Sequence, residues 1–155
     1  MIVREMYVNE FDSTVICFNY YRDRAIESIP QIEEEYDENS VIKTIKARAS
    51  RAEHCWFNAY DGQRIVGFVA GTLIPQPWNH QILSANIDFI FLIDTHRNMD
   101  NFRLLMKKFE EWARHRGATS ITGGDIGIDI DRTRTLFEHL GFTPMLLMNK
   151  ELIDG

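Results

Sequence analysis

The chain has 155 residues, 45% hydrophobic and 26% charged, which is enough apolar material for a single core and one globular domain over residues 1–155. Its net charge of -6 argues against a nucleic-acid partner, because phosphate backbones require clustered Lys and Arg. No apolar run approaches the roughly 18 residues of a membrane span, and the start MIVREMYVNEF lacks signal-peptide anatomy. A cytoplasmic protein with no membrane partner is therefore expected. Cys17 and Cys55, far apart in sequence, fit buried reduced thiols.

In chain order, Met1 to Tyr7 alternates well enough for a short strand. Asp12 or Ser13 can cap a helix running to about Ile26, with Val15, Phe18 and Ile26 on its apolar face. Ser28 to Asn39, with one proline and five acidic residues, reads as a connector. Asn39 or Ser40 can cap a second helix whose face is Val41, Ile42, Ile45, Ala49 and Ala52, ending near His54. Cys55 to Tyr60, a turn at Asp61-Gly62, and Arg64 to Ile74 form the strongest hairpin signal. Pro75 and Pro77 close the second strand, and the following loop leaves Trp78 exposed. Ile82 to Ile93 is an apolar strand broken by one carboxylate, Asp88. From Phe102 the large apolar residues Phe102, Leu105, Met106, Phe109, Trp112 and Ala113 take helical spacing. A helix entered directly from a strand turns its free N–H groups toward whatever lies over the strand end, so His96 to Asn101 is a candidate anion site. Gly117 ends this helix, and Ala118 to Thr122 is a short strand leading into Gly123-Gly124. Asp129 or Asp131 can cap a helix through His139, and Met145 to Leu152 is a last strand.

The order is β-α-α-β-β-β-α-β-α-β. Together with the hairpin YDGQRIVGFVAG, the element HRNMDNFRLLMKKFEEWARHRGATSI and the closing LFEHLGF, it resembles the GCN5-related N-acetyltransferase (GNAT) family across almost the whole chain. The resemblance implies an α/β (α+β) fold: a mixed, mostly antiparallel sheet of about 6–7 strands with about four helices. It also implies a cleft where the fourth strand splays from the fifth, with acetyl-CoA as co-substrate in that cleft. In the family the pyrophosphate is held by backbone N–H groups of a loop written Q/R-x-x-G-x-G/A. That assigns Arg97, Asn98, Met99, Asp100, Asn101 and Phe102 to the pyrophosphate, and backbone N–H groups near Leu92 to the thioester carbonyl. The run Glu110 to Ala113 is similar to a subset of the family carried by bacteriophages, whose loop is less glycine-rich.

Aligned on the motif, Arg97 takes its first position, Asp100 the first glycine and Phe102 the Gly/Ala. Glycine lets the backbone approach phosphates; a phenylalanine would crowd them or turn into the core, and the helical spacing favours the core. A carboxylate about 5 Å from one phosphate charge, at an effective dielectric near 20, costs about 3 kcal/mol. Asp100 could therefore plug the site, or Asp100 or Asn98 could be an ordinary N-cap. The family often has a tyrosine where Phe137 stands, and phenylalanine cannot protonate a leaving thiolate. His139 reads as a solvated surface residue.

Asp88 is the candidate general base, a lone carboxylate in an apolar strand. Its plain alternative is a carboxylate bonded to a neighbouring strand or helix, or reaching solvent through the splay. Asp94 and His96 could relay a proton through water. The acidic connector Glu33, Glu34, Glu35, Asp37 and Glu38 could draw in an amine or be a solvated charge run, and Trp78 and His80 could line the same side or an oligomer contact. No metal-ligand spacing, nucleophile elbow, Walker loop or Rossmann loop is present in the sequence.

Two readings follow. One is an N-acetyltransferase moving an acetyl group from acetyl-CoA to a primary amine on a small molecule or protein. The other keeps the fold without catalysis, as a binding or structural subunit, in a homo-oligomer or a phage virion.

Overall fold

The computed structural model describes residues 1–124, 130–145, 150 and 152. Its elements are β1 (Ile2–Glu5), α1 (Phe11–Ser28), α2 (Ile32–Glu35), α3 (Glu38–Ser50), β2 (His54–Asp61), β3 (Arg64–Gln76), β4 (Asn79–Leu92), α4 (Met99–His115), β5 (Ala118–Thr122) and α5 (Ile130–His139). Single turns of 3-10 helix precede α1 and α4, at Val8–Glu10 and Asp94–His96.

The strands form one mixed sheet in the order β1-β2-β3-β4-β5. All neighbours are antiparallel except β4 and β5, which run parallel. The described residues thus hold five strands rather than six or seven; most of the expected last strand, Met145 to Leu152, lies outside them (146–149 and 151), as does the Asp129 cap. Asp131 falls inside α5, one residue past its start, so it is not the cap.

Strand alternation sorts the helices onto two faces. Phe68 stacks on Phe18 of α1 and meets Tyr21 edge-on, Trp56 packs against Phe18 at a tilt, and Phe57, next along β2, meets Lys108 of α4. The core fills both sides, with Phe18, Ile45, Trp56 and Phe68 on the first and Leu105, Met106, Phe109 and Ala113 contributed by α4 on the second. The apolar stripe of α4 is buried as its spacing requires, with Trp112 half-buried at its edge. Among the described residues no helix is long and apolar enough to cross a membrane.

Several local expectations need correction. The first helix starts at Phe11, without a side-chain cap from Asp12 or Ser13. Asp37, not Asn39 or Ser40, caps α3, accepting the Ser40 backbone N–H at 3.2 Å. The connector contains the short helix α2. In α3 the face turned to the sheet carries Ile45 and Arg48, whereas Ala49 and Ala52 are exposed. The hairpin turn sits at Gly62-Gln63, between the paired residues Asp61 and Arg64, and Gly62 takes φ 60, a left-handed conformation suited to glycine.

Candidate functional site

Strand pairing creates the cleft. β5 follows β4 only from Leu83 to Asn86, whose partner is Thr122. Beyond that point β4 continues to Leu92 with β3 as its one strand partner among the described residues, and the edge Ile87 to Leu92 faces the space beyond the end of β5. A cavity of about 240 Å³ occupies this splay. Its walls come from α1 (Tyr21, Arg24), from β4 (Asp88 to Phe91), from the start of α4 and the loop before it (Arg97, Asn98, Met99, Phe102), and from α5 (Arg132, Thr133, Leu136, Phe137).

Asp88 sits at an irregularity in β4. Ala70 pairs with Phe89 and Gly71 with Ile87, so Asp88 is the extra residue of a β-bulge. The bulge turns its carboxylate to the α1/α3 side, where its side chain keeps 15% exposure. Oδ2 accepts hydrogen bonds from Arg48 Nε at 2.9 Å and Thr72 Oγ1 at 2.6 Å, and Oδ1 accepts one from Asn86 Nδ2 at 2.9 Å. Asp88 is thus both bonded to neighbouring elements and part of the cleft wall.

The loop ahead of α4 is organised by Asn98. Its Oδ1 accepts the Asn101 N–H at 2.9 Å, and Asn101 Nδ2 donates back to the His96 carbonyl at 2.9 Å. Phe102 N–H closes the first helical bond on the Asn98 carbonyl. The backbone N–H groups of Met99 and Asp100 have no partner among the described residues. Asp100 is not the cap and does not line the cleft: its side chain is 93% exposed and lies 3.5 Å from Arg103. Phe102 is 6% exposed, packed into the core with the Arg97 guanidinium 5.5 Å from its ring centre. Neither departure from the glycine pattern therefore obstructs the helix N-terminus.

Of the residues singled out from sequence, Asp88, Arg97, Asn98, Met99 and Phe102 meet at the cleft, while Leu92, Asp100 and Asn101 do not line it. Leu92 is buried, and its carbonyl accepts Arg97 Nη1 at 3.3 Å. Asp94 pairs with Arg24 at 3.0 Å, and His96 with Asp61 of the hairpin turn at 2.8 Å, where the imidazole hydrogen bond holds the Asp61 carboxyl below its usual range. The acidic connector is exposed and lines no part of the cleft, as are Trp78 and His80. Phe137 is buried against Phe142, and His139 lies exposed over the Thr135 carbonyl.

Sequence reasoning missed Tyr21, Arg24, Arg132 and Thr133. Tyr21 and Arg24 are three apart near the end of α1, and Arg132 and Thr133 open α5; only the course of both helices past β4 reveals their convergence.

The fit to a CoA thioester can be judged on these walls. Among the described residues, the β4 edge past Asn86 offers backbone without a β5 partner to an extended chain, the α4 N-terminus offers two N–H groups to an anion, and arginines from three elements border the same space. The residues present suit such a molecule.

The likeness to known proteins agrees. Residues 16–142 match the model of the Acetyltransferase (GNAT) family. No curated protein matches the sequence. Among solved structures, the ribosomal-protein-alanine N-acetyltransferase from Brucella melitensis biovar Abortus 2308 superposes with a TM-score of 0.70 at 12% identity, covering 100% of both chains. The aminoglycoside 6'-N-acetyltransferase AAC(6')-IG from Acinetobacter haemolyticus gives 0.71 at 13% identity, covering 99% of this chain and 100% of that one. AAC(6')-Iy, solved with the bisubstrate analog CoA-S-monomethyl-acetylneamine, gives 0.71 at 12% identity, covering 97% of each. At such identities the structures testify to the fold alone, but the family model spans most of the chain and both the splay and the α4 N-terminus. With the cleft in place between them, the chain belongs to the acetyltransferase (GNAT) family.

Proposed function

We propose that the protein is an N-acetyltransferase that moves an acetyl group from acetyl-CoA to a primary amine. The observation that carries the reading is the juxtaposition, in one cleft, of the open β4 edge, the α4 N-terminus and the Asp88 carboxylate. Acetyl-CoA supplies an activated acetyl group: the amine nitrogen bonds to the thioester carbon, the carbon–sulfur bond breaks and CoA leaves as thiolate. Arg97 and the Met99 and Asp100 N–H groups suit the pyrophosphate, with Asn98 and Asn101 shaping the turn that presents them. The β4 edge up to Leu92 suits the extended thioester arm. Asp88, or a water it orders, takes the amine's proton. The protein structures resembling this chain include enzymes named for a protein alanine and for aminoglycosides, so an alanine-terminated peptide and an aminoglycoside are apt acceptor probes.

The first test is thermal stability. A ligand at a hundred times its dissociation constant adds about 2.7 kcal/mol, or roughly 5–10 °C for a domain of this size. A melting shift with acetyl-CoA, followed by transfer to a probe amine that Asp88→Asn abolishes while keeping the shift, supports the reading. No shift at millimolar acetyl-CoA would overturn it and leave a non-catalytic binding or virion subunit, the reading favoured by Phe137 in place of a proton-donating tyrosine.

A further inference from the structure

A row of polar side chains crosses the sheet on the α1/α3 face. His54 on β2 and Thr72 on β3 are register partners, Thr72 pairs with Asn86 on β4, and Asn86 pairs with Thr122 on β5. The next row on this face, Trp56, Ala70 and Phe89, is apolar. The hydrogen bonds of the polar row run one way. Thr122 Oγ1 donates to Asn86 Oδ1 at 3.0 Å, Asn86 donates to Asp88 Oδ1, and Thr72 and Arg48 both donate to Asp88 Oδ2. An ionised carboxylate only accepts, so the single hydroxyl hydrogen of Thr72 is committed to Asp88. The 2.9 Å contact between His54 Nδ1 and Thr72 Oγ1 must then be donated by the histidine. His54 is thereby fixed as the Nδ1–H tautomer.

We propose that His54 and Thr72 are positioning residues for Asp88. The chain His54 Nδ1–H to Thr72 Oγ1–H to Asp88 Oδ2 holds the carboxylate in one orientation, leaving Oδ1, which accepts one hydrogen bond among the described residues, for the acceptor amine. Neither His54 nor Thr72 lines the cleft, so both act only through Asp88. Aligned donors polarise one another, which makes the chain worth more than its last bond. The charged and titratable groups around it among the described residues are Arg48 from α3, His54 and the buried Cys55 from β2, Glu53 with Oε1 3.9 Å from His54 Nε2, and, on the cleft side, Tyr21, Arg24, Arg97 and Arg132. The inference rests on the reading of Asp88 as the group that handles the amine.

Two measurements test it. Nitrogen-15 NMR of the imidazoles at pH 8 should show His54 as Nδ1–H, moving toward the Nε2–H form in Thr72→Val. With acetyl-CoA and the alanine-terminated peptide or the aminoglycoside as probe, Thr72→Val should lower kcat at least tenfold. It should also move the acid limb of the kcat/KM profile to higher pH, because a donor to the charged form is lost. Acetyl-CoA affinity should stay within twofold, and Thr72→Ser should restore both kcat and the limb. An unmoved acid limb in Thr72→Val, no rescue by Thr72→Ser, or an Nε2–H His54 in the wild type would overturn the proposal. A wild type inert toward both probes would count against the acetyl-transfer reading instead, while the tautomer of His54 still decides the chain.

Discussion

Asn98 Oδ1 accepts the backbone N–H of Asn101 at 2.9 Å, so the first turn of α4 is capped from within the loop that borders the cleft. Replacing an Asn cap by Ala costs about 1 kcal/mol, and Asn98→Ala should lower unfolding stability by that amount in a denaturant titration. Asp100, exposed and beside Arg103, contributes no cap. A carboxylate in the phosphate position would have weakened binding about a hundredfold. With the side chain in solvent, Asp100→Gly should change acetyl-CoA affinity less than about threefold, since exposed charges are screened. A hundredfold gain in that variant would mean that Asp100 reaches the ligand after all.

The same residues show what sequence could and could not disclose. Periodicity suffices for α4, because its apolar stripe answers to one sheet face, and alternation with a glycine turn suffices for the β2–β3 hairpin. The surroundings of Asp88 were out of reach: Arg48 lies 40 positions away and Thr72 16, and neither spacing has a signature. Arg48 is further hidden because the apolar spacing of the second helix points to a face through Ala49 and Ala52. The glycine motif misled for a related reason, since it describes which residues permit a close backbone, not where a substituted side chain will point.

Gly71 of β3 lies directly against the Phe109 ring of α4. A Cβ there would overlap the Phe109 ring and the Asn86 carbonyl. Both are held, Phe109 in the core and Asn86 in the ladder, so neither can yield cheaply. Gly71→Ala should destabilise the protein by about 3 kcal/mol, and because Asn86 also donates to Asp88, the variant should lose activity even where it remains folded. Wild-type stability in Gly71→Ala, measured by denaturant titration, would contradict this packing.

Cys17 and Cys55 are buried free thiols. Burial pushes the Cys17 thiol up to about 12 and raises Cys55 as well. The nucleophile is the thiolate, so neither should react in the native state. Treatment with iodoacetamide at pH 8 should leave the intact protein unmodified by mass spectrometry and add two groups after denaturation. Modification of either thiol in the native protein would require an opening of the core.

Glu10 joins β1 to the start of α1. Its carboxylate receives Arg4 through two hydrogen bonds at 3.0 and 3.1 Å, the Tyr7 backbone N–H at 2.7 Å and the Tyr60 hydroxyl at 2.9 Å. The Arg4 guanidinium lies between the rings of Tyr7 and Tyr60, 3.8 and 3.9 Å from their centres. The Arg4 hydrogen bonds, aided by those from Tyr7 and Tyr60, hold the Glu10 carboxyl below its ordinary 4.5 against the opposing effect of burial, and burial beside Glu10 pushes the Tyr60 phenol up to about 12. Because the folded-state value is depressed, the stabilisation is present above the unfolded value of 4.5 and is lost as pH falls through the folded one. The wild type should therefore lose melting temperature below about pH 4.5 more steeply than Glu10→Gln, which has no proton to take up at this site. The variant should start from a lower plateau at pH 7, because a neutral amide cannot replace the charge-assisted pair with Arg4. Parallel acid limbs for the two proteins would place the acid sensitivity in other carboxylates and reduce the Arg4–Glu10 contact to a surface pair.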